Sequence, residues 1–145
     1  MKIIQIIFFF LFISATLNTL AQTDSIYKLR LPEEINRYQP SIIPVISPDG
    51  KRLYFDRKLH PENIGGIYDS DDIWASELNS YNAWSDAYNI GRPLNTKFAD
   101  VLFSISPDGE TALVYGKNIH NLRKSGFAFA SKDSENKWSI KEYLR

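Results

Sequence analysis

The chain has no cysteine. That excludes a disulfide framework, a thiolate metal site, a cysteine nucleophile and a lipid attached through cysteine. It has no excess of one charge: Lys+Arg is 17 and Asp+Glu is 17. A dedicated nucleic-acid binder would show a basic excess or stripe, and a long disordered segment would combine high net charge with few apolar residues. Histidine is scarce, with only His60 and His120, and neither lies in H-E-x-x-H. No G-x-S-x-G, G-x-x-x-x-G-K-[ST] or G-x-G-x-x-G occurs, so a nucleophile elbow and a phosphate-cradling loop have no local mark. Seven Gly and seven Pro in 145 residues set aside collagen-like and low-complexity chains. Apolar residues, at 43%, and aromatics, at 14%, are sufficient to build a core.

The N-terminus reads as an export signal. Lys2 precedes an apolar run, Ile3 to Ile13, broken only by Gln5, and the segment ends Thr19-Leu20-Ala21. Small residues three and one positions before a cut fit signal peptidase acting after Ala21. The run is about half the ~20 residues a membrane-spanning helix needs. Residues 1–21 are therefore expected to be a signal peptide, and residues 22–41 a linker or partial strand. No later segment is apolar enough to span a membrane. The expected location is the periplasm or the outer membrane's periphery, or the medium.

A repeat follows. S-P-D-G occurs at Ser47–Gly50 and again at Ser106–Gly109, each after an isoleucine, Ile46 and Ile105. Trp74-Ala75-Ser76 is echoed by Phe129-Ala130-Ser131, and Trp84-Ser85 by Trp138-Ser139. Self-similarity at a period near 50 residues points to a propeller, solenoid or array. Each unit reads as four strands. In the first they are Ile42–Ser47, Lys51–Arg57, Asp71–Leu78 and Trp84–Ile90, with an irregular loop over residues 58–70. In the second they are Val101–Ser106, Thr111–Tyr115, Gly126–Ser131 and Lys137–Leu144. Pro presets φ, Asp bonds the local backbone and Gly accepts positive φ in the S-P-D-G turns. Short strands between turns, with no 3.6-residue pattern after Ala21, argue for an all-β, antiparallel chain. Two units, residues 42–96 and 97–145, are expected as consecutive blades of a partial β-propeller. Residues 28–40 are expected to supply a strand of an incomplete one. Ile46, Leu53, Phe55, Trp74 and Ile105 are the expected core.

The stretch Ile46 to Phe55, I-S-P-D-G-K-R-L-Y-F, resembles the PD40 repeat, a WD40-like unit of TolB-type β-propellers. Residues 60–78 and Trp84 to Thr96 resemble PD40 propellers of exported Bacteroidetes proteins, which often carry a downstream OmpA-type peptidoglycan-binding domain. The resemblance covers about residues 38–131. Gly126-Phe127-Ala128-Phe129 departs from it, standing where an aspartate-containing strand start is usual. The resemblance implies a propeller fold and names no activity. Propellers close a ring of typically 4–8 blades, so two blades imply a piece of a longer chain, assembly with copies or a partner, or a small module that stands alone.

Candidate chemistry is sparse. Asp69, Asp71 and Asp72 form the one acid cluster, and oxygen-rich clusters can hold Ca²⁺. As an EF-hand loop the segment fails, because Trp74 stands where Gly is needed, so the preferred reading is polar termination of a loop. Asp49 and Asp108 read as turn formers and the two histidines as solvated loop groups. Trp74, Trp84, Phe129 and Trp138 read as repeat aromatics for packing, although exposed tryptophans could stack on a glycan. No cofactor is expected. The leading expectation is a non-catalytic, exported module binding a protein partner or further blades. The alternatives are the propeller part of a secreted peptidase-type hydrolase, and a glycan-binding module.

Overall fold

The computed structural model describes residue 31 and residues 33–36, 41–117 and 124–144. The expected signal peptide, most of the linker and His120 lie outside them. Among the described residues the chain is all-β apart from one short helix, α1 (Glu33–Asn36), and a single 3₁₀ turn at Gly66–Tyr68. The first sheet runs β1 (Ser41–Ile46), β2 (Arg52–Arg57), β3 (Asp72–Glu77), β4 (Tyr88–Asn89). The second runs β5 (Val101–Ile105), β6 (Thr111–Lys117), β7 (Ser125–Lys132), β8 (Trp138–Tyr143). Every neighbouring pair is antiparallel. No helix of the described residues is long and apolar enough to cross a membrane.

Two expectations change. Residues 33–36 form a helix where a strand was expected; Ile35 on it seals an apolar cluster of Leu53, Phe55 and Trp74. The fourth strand of the first unit is only two residues long, with Trp84 making an isolated bridge to Leu78. Asn95 takes over where that strand stops. Its side-chain amide donates to the Ile73 carbonyl (2.8 Å) and its Oδ1 accepts from the Ile73 N–H (2.9 Å), so it imitates a neighbouring strand. Buried backbone groups left unpaired cost about 1–3 kcal/mol each. Asn95→Ala is therefore expected to lower stability by about 2–4 kcal/mol, read as a shifted denaturant midpoint, while Thr96→Ala at the same loop costs less.

The ladders also fix how the two units correspond. Leu53 pairs with Ser76 and Ala112 with Ala130. Both first strands end at an S-P-D-G turn, which makes Leu53 and Ala112 equivalent. Ser76 then corresponds to Ala130, Ala75 to Phe129 and Trp74 to Ala128. The sequence echo of Trp74 with Phe129 is thus one residue out of register. Since alternate strand residues face opposite ways, this slip decides which side of the sheet each aromatic occupies.

One face of the first sheet, with Tyr54, Ile73 and Ala75, packs on one face of the second, with Leu102, Ala112, Val114, Ala128 and Ala130. The opposite face of the first sheet carries Leu53, Phe55 and Trp74 under Leu31 and Ile35. β2 and β3 are thus covered on both sides, and Leu53-Tyr54-Phe55 reads as an unbroken apolar run for that reason. β6 and β7 are covered on one side only and alternate. Ile46 and Ile105 hold equivalent places opposite Leu53 and Ala112. Ile105 is half-buried against the inter-sheet core, whereas Ile46 lies on the sparsely covered outer face and is 52% exposed. The expected burial of Ile46 is therefore corrected.

Candidate interaction face

The S-P-D-G residues build turns. Ser47 Oγ donates to Asp49 Oδ1 (2.5 Å), which also accepts from the Lys51 amide (3.0 Å); Ser47 Oγ in turn accepts from the Arg52 amide (2.8 Å). Ser106, Asp108, Glu110 and Thr111 repeat the arrangement. Gly50 and Gly109 close the turns at φ of 70° and 78°. Ser47 and the Lys51 amide hold Asp49 below the usual carboxylate range, and Ser106 and the Glu110 amide do the same for Asp108. Pro48 and Pro107 stand beside a cleft of about 570 Å³ between the two turns. Its walls carry both signs of charge, and Arg52 there is already bonded to Glu77 (2.7 Å), which also accepts from Tyr88 Oη (2.9 Å).

The loop acids are buried organisers of the chain before β3. Asp69 Oδ2 accepts from the Gly65 amide (3.0 Å), and Asp72 Oδ2 from the Ile64 amide (2.7 Å) and the Asn89 side chain (2.6 Å). Asp71 lies 3.8 Å from the Lys58 ammonium. The neighbouring Asp72 charge adds to the burial that raises the Asp69 carboxyl. Two further buried acids, Asp56 and Asp100, join this region at the seam of the sheets. Burial pushes Asp56 up to about 8, Asp100 to about 7 and Asp69 to about 6. Nothing local in the sequence marks Asp56 and Asp100, because their burial comes from the second sheet lying on the first. Among the described residues no three His or acid side chains come together as a metal site.

His60 is buried, contrary to the solvated expectation. Its ring stands steeply tilted to that of Trp74, with centroids 4.5 Å apart, its Nδ1 accepts from the Glu62 amide (3.1 Å), and burial lowers its pKa. Trp74 itself is fully buried, with Nε1 donating to Asn63 (3.0 Å) and the Arg57 guanidinium 4.5 Å above its ring. It is closed to a stacking sugar. Trp84 and Trp138 are half-buried at the margins of the two apolar clusters, outside the core proper.

Phe129 behaves differently. It stands on the outer face of the second sheet with Phe103, Leu113, Tyr115 and Phe127. Phe103, Phe127 and Phe129 are 41%, 42% and 40% exposed. Phe127 touches both Phe103 and Tyr115, with ring centroids 5.4 Å apart in each case. Lys117, two residues beyond Tyr115 on β6, brings a cation to the edge of this face and stands 5.1 Å from the Phe98 ring. A contiguous exposed aromatic patch with a polar rim marks a contact surface. The trace of it in sequence is Phe127-Ala128-Phe129-Ala130, large and small residues alternating with the period of a strand. Fold and face together define an all-β chain of two stacked antiparallel four-stranded sheets with an uncovered aromatic face. No family model, no curated protein and no solved structure matches this chain.

Proposed function

We propose that the chain is an exported, non-catalytic interaction module of the cell envelope, built as two consecutive blades of a partial β-propeller. The observation that carries this reading is the aromatic face of the second sheet. It is the same face that, in the first sheet, is buried by protein. The four-stranded sheets, the repeated S-P-D-G turns and the N-terminal apolar run support the propeller and export parts. Against a glycan module stands the burial of Trp74. Against a hydrolase role for these residues stands His60, the one described histidine, buried against the Trp74 ring.

The test is fractionation of a Gram-negative host making the full chain with a C-terminal tag. The expected result is a mass beginning at Gln22 in the envelope fraction. Phe127→Glu/Phe129→Glu should move the protein from that fraction into the soluble one, with its circular dichroism unchanged. A cytoplasmic chain that keeps residues 1–21, or a double variant still bound to the envelope, would overturn the proposal.

A further inference from the structure

The aromatic face admits a closer specification of its partner, which rests on the interaction reading above. Equivalent positions place Leu113 with Tyr54, Tyr115 with Asp56, Phe127 with Ile73 and Phe129 with Ala75. These form one face in each sheet. In the first sheet that face is covered by Ala112, Val114, Ala128 and Ala130 of the second. With Leu102 beside them on β5, the two central strands of the covering side, β6 and β7, carry small residues, and the covered side brings the bulk: Tyr54 and Ile73 fill the space that three alanines leave. Cores pack at nearly constant density, so large side chains on one sheet require small ones opposite. On its central strands the uncovered face is larger still, with Tyr115, Phe127 and Phe129 where the covered one has Asp56, Ile73 and Ala75, against a single step down, Leu113 for Tyr54.

We infer that this face takes a β-sheet of a partner protein that presents alanine- and valine-sized residues at alternate strand positions. A second copy of this chain is a poorer fit. Its own small face is occupied by its first sheet, and the outer face of that first sheet carries Leu53, Phe55 and Trp74 under Ile35. Bulk would then meet bulk.

The absence of cysteine supplies a clean probe. In the full chain carrying Phe129→Cys, the introduced thiol is the only one, and its reaction rate with a maleimide reports the cover over the face. The surrogate partner is an added copy of residues 97–145 fused after Arg145, which offers Ala112, Val114, Ala128 and Ala130 once more. The fused chain should react about tenfold more slowly or less, because labelling then waits for local opening. Placing Ala128→Leu/Ala130→Leu in the added copy should restore fast labelling, with the first two sheets still folded by circular dichroism. An added copy that leaves the thiol fully reactive, or that stays unfolded, overturns the inference. So does an unfused chain that labels slowly and sediments as a dimer, since a second copy would then be the occupant. None of these outcomes bears on export, which the fractionation tests separately.

Discussion

Replacing Trp74 by alanine is expected to be the most damaging single change in the first sheet, costing about 3–5 kcal/mol. Three losses add up there. The ring is 1% exposed, so its removal opens a cavity between β3, α1 and the loop over residues 58–70. The Asn63 Oδ1 loses its donor, while the same side chain still has to hold the Arg57 carbonyl at 2.9 Å. The Arg57 guanidinium, 3% exposed as a residue, loses the aromatic face beneath it. Domains are stable by only about 5–15 kcal/mol, so a melting temperature lower by roughly 15 °C is the outcome to look for. Trp84→Ala and Trp138→Ala remove half-buried rings at the margins and should cost less than half as much. If all three variants melt alike, the burial difference between them is not what sets stability.

The second large effect is a loss of stability between pH 6.5 and 9. Asp56, with its carboxyl at about 8, and Asp100, at about 7, lie far above the ~3.9 of an unfolded aspartate. The folded state therefore keeps protons that the unfolded chain has released. That contribution is complete below about pH 4 and is lost as pH rises through 7 and 8. His60 works in the other direction, because its lowered pKa costs stability only as pH falls below its ordinary 6.5. Asp49 and Asp108 are held low and lose their contribution only in acid. Above pH 6.5 the raised aspartates act alone, and the fall should amount to about 2 kcal/mol or more. No hydrogen bond of good geometry reaches either Asp56 oxygen, and the Leu102 amide gives only partial relief. Asp56→Asn, which keeps the shape and removes the charge, should therefore raise the melting temperature at pH 9 by about 5 °C. At pH 5 it should change it little. A wild-type melting temperature flat from pH 6.5 to 9 would show these carboxyls ionised throughout.

Much of this was legible in the sequence because it is local. Pro48, Asp49 and Gly50 suit a turn wherever the chain goes, and the same residues at 107–109 make the same turn with the same hydrogen bonds. Strands on either side of those turns needed only β-branched and aromatic residues to declare themselves. The helix at Glu33–Asn36 was not legible, since four residues carry no periodicity. The shortened β4 was not either, because its pairing is replaced by Asn95, a side chain six residues beyond it in sequence.

The sequence alone determined that the chain is β, that it repeats, and where its tight turns fall. Turn chemistry and strand preference act over a few residues, so they survive any arrangement of the rest. Only the tertiary structure decided what each face of each sheet meets. Ile46 and Ile105 follow the same pattern in the same turn, yet one is exposed and the other half-buried. Trp74 and Phe129 look alike in their strands, yet a one-residue shift in register puts them on opposite faces. Burial depends on which sheet lies against which, and that is a property of packing between segments about 50 residues apart.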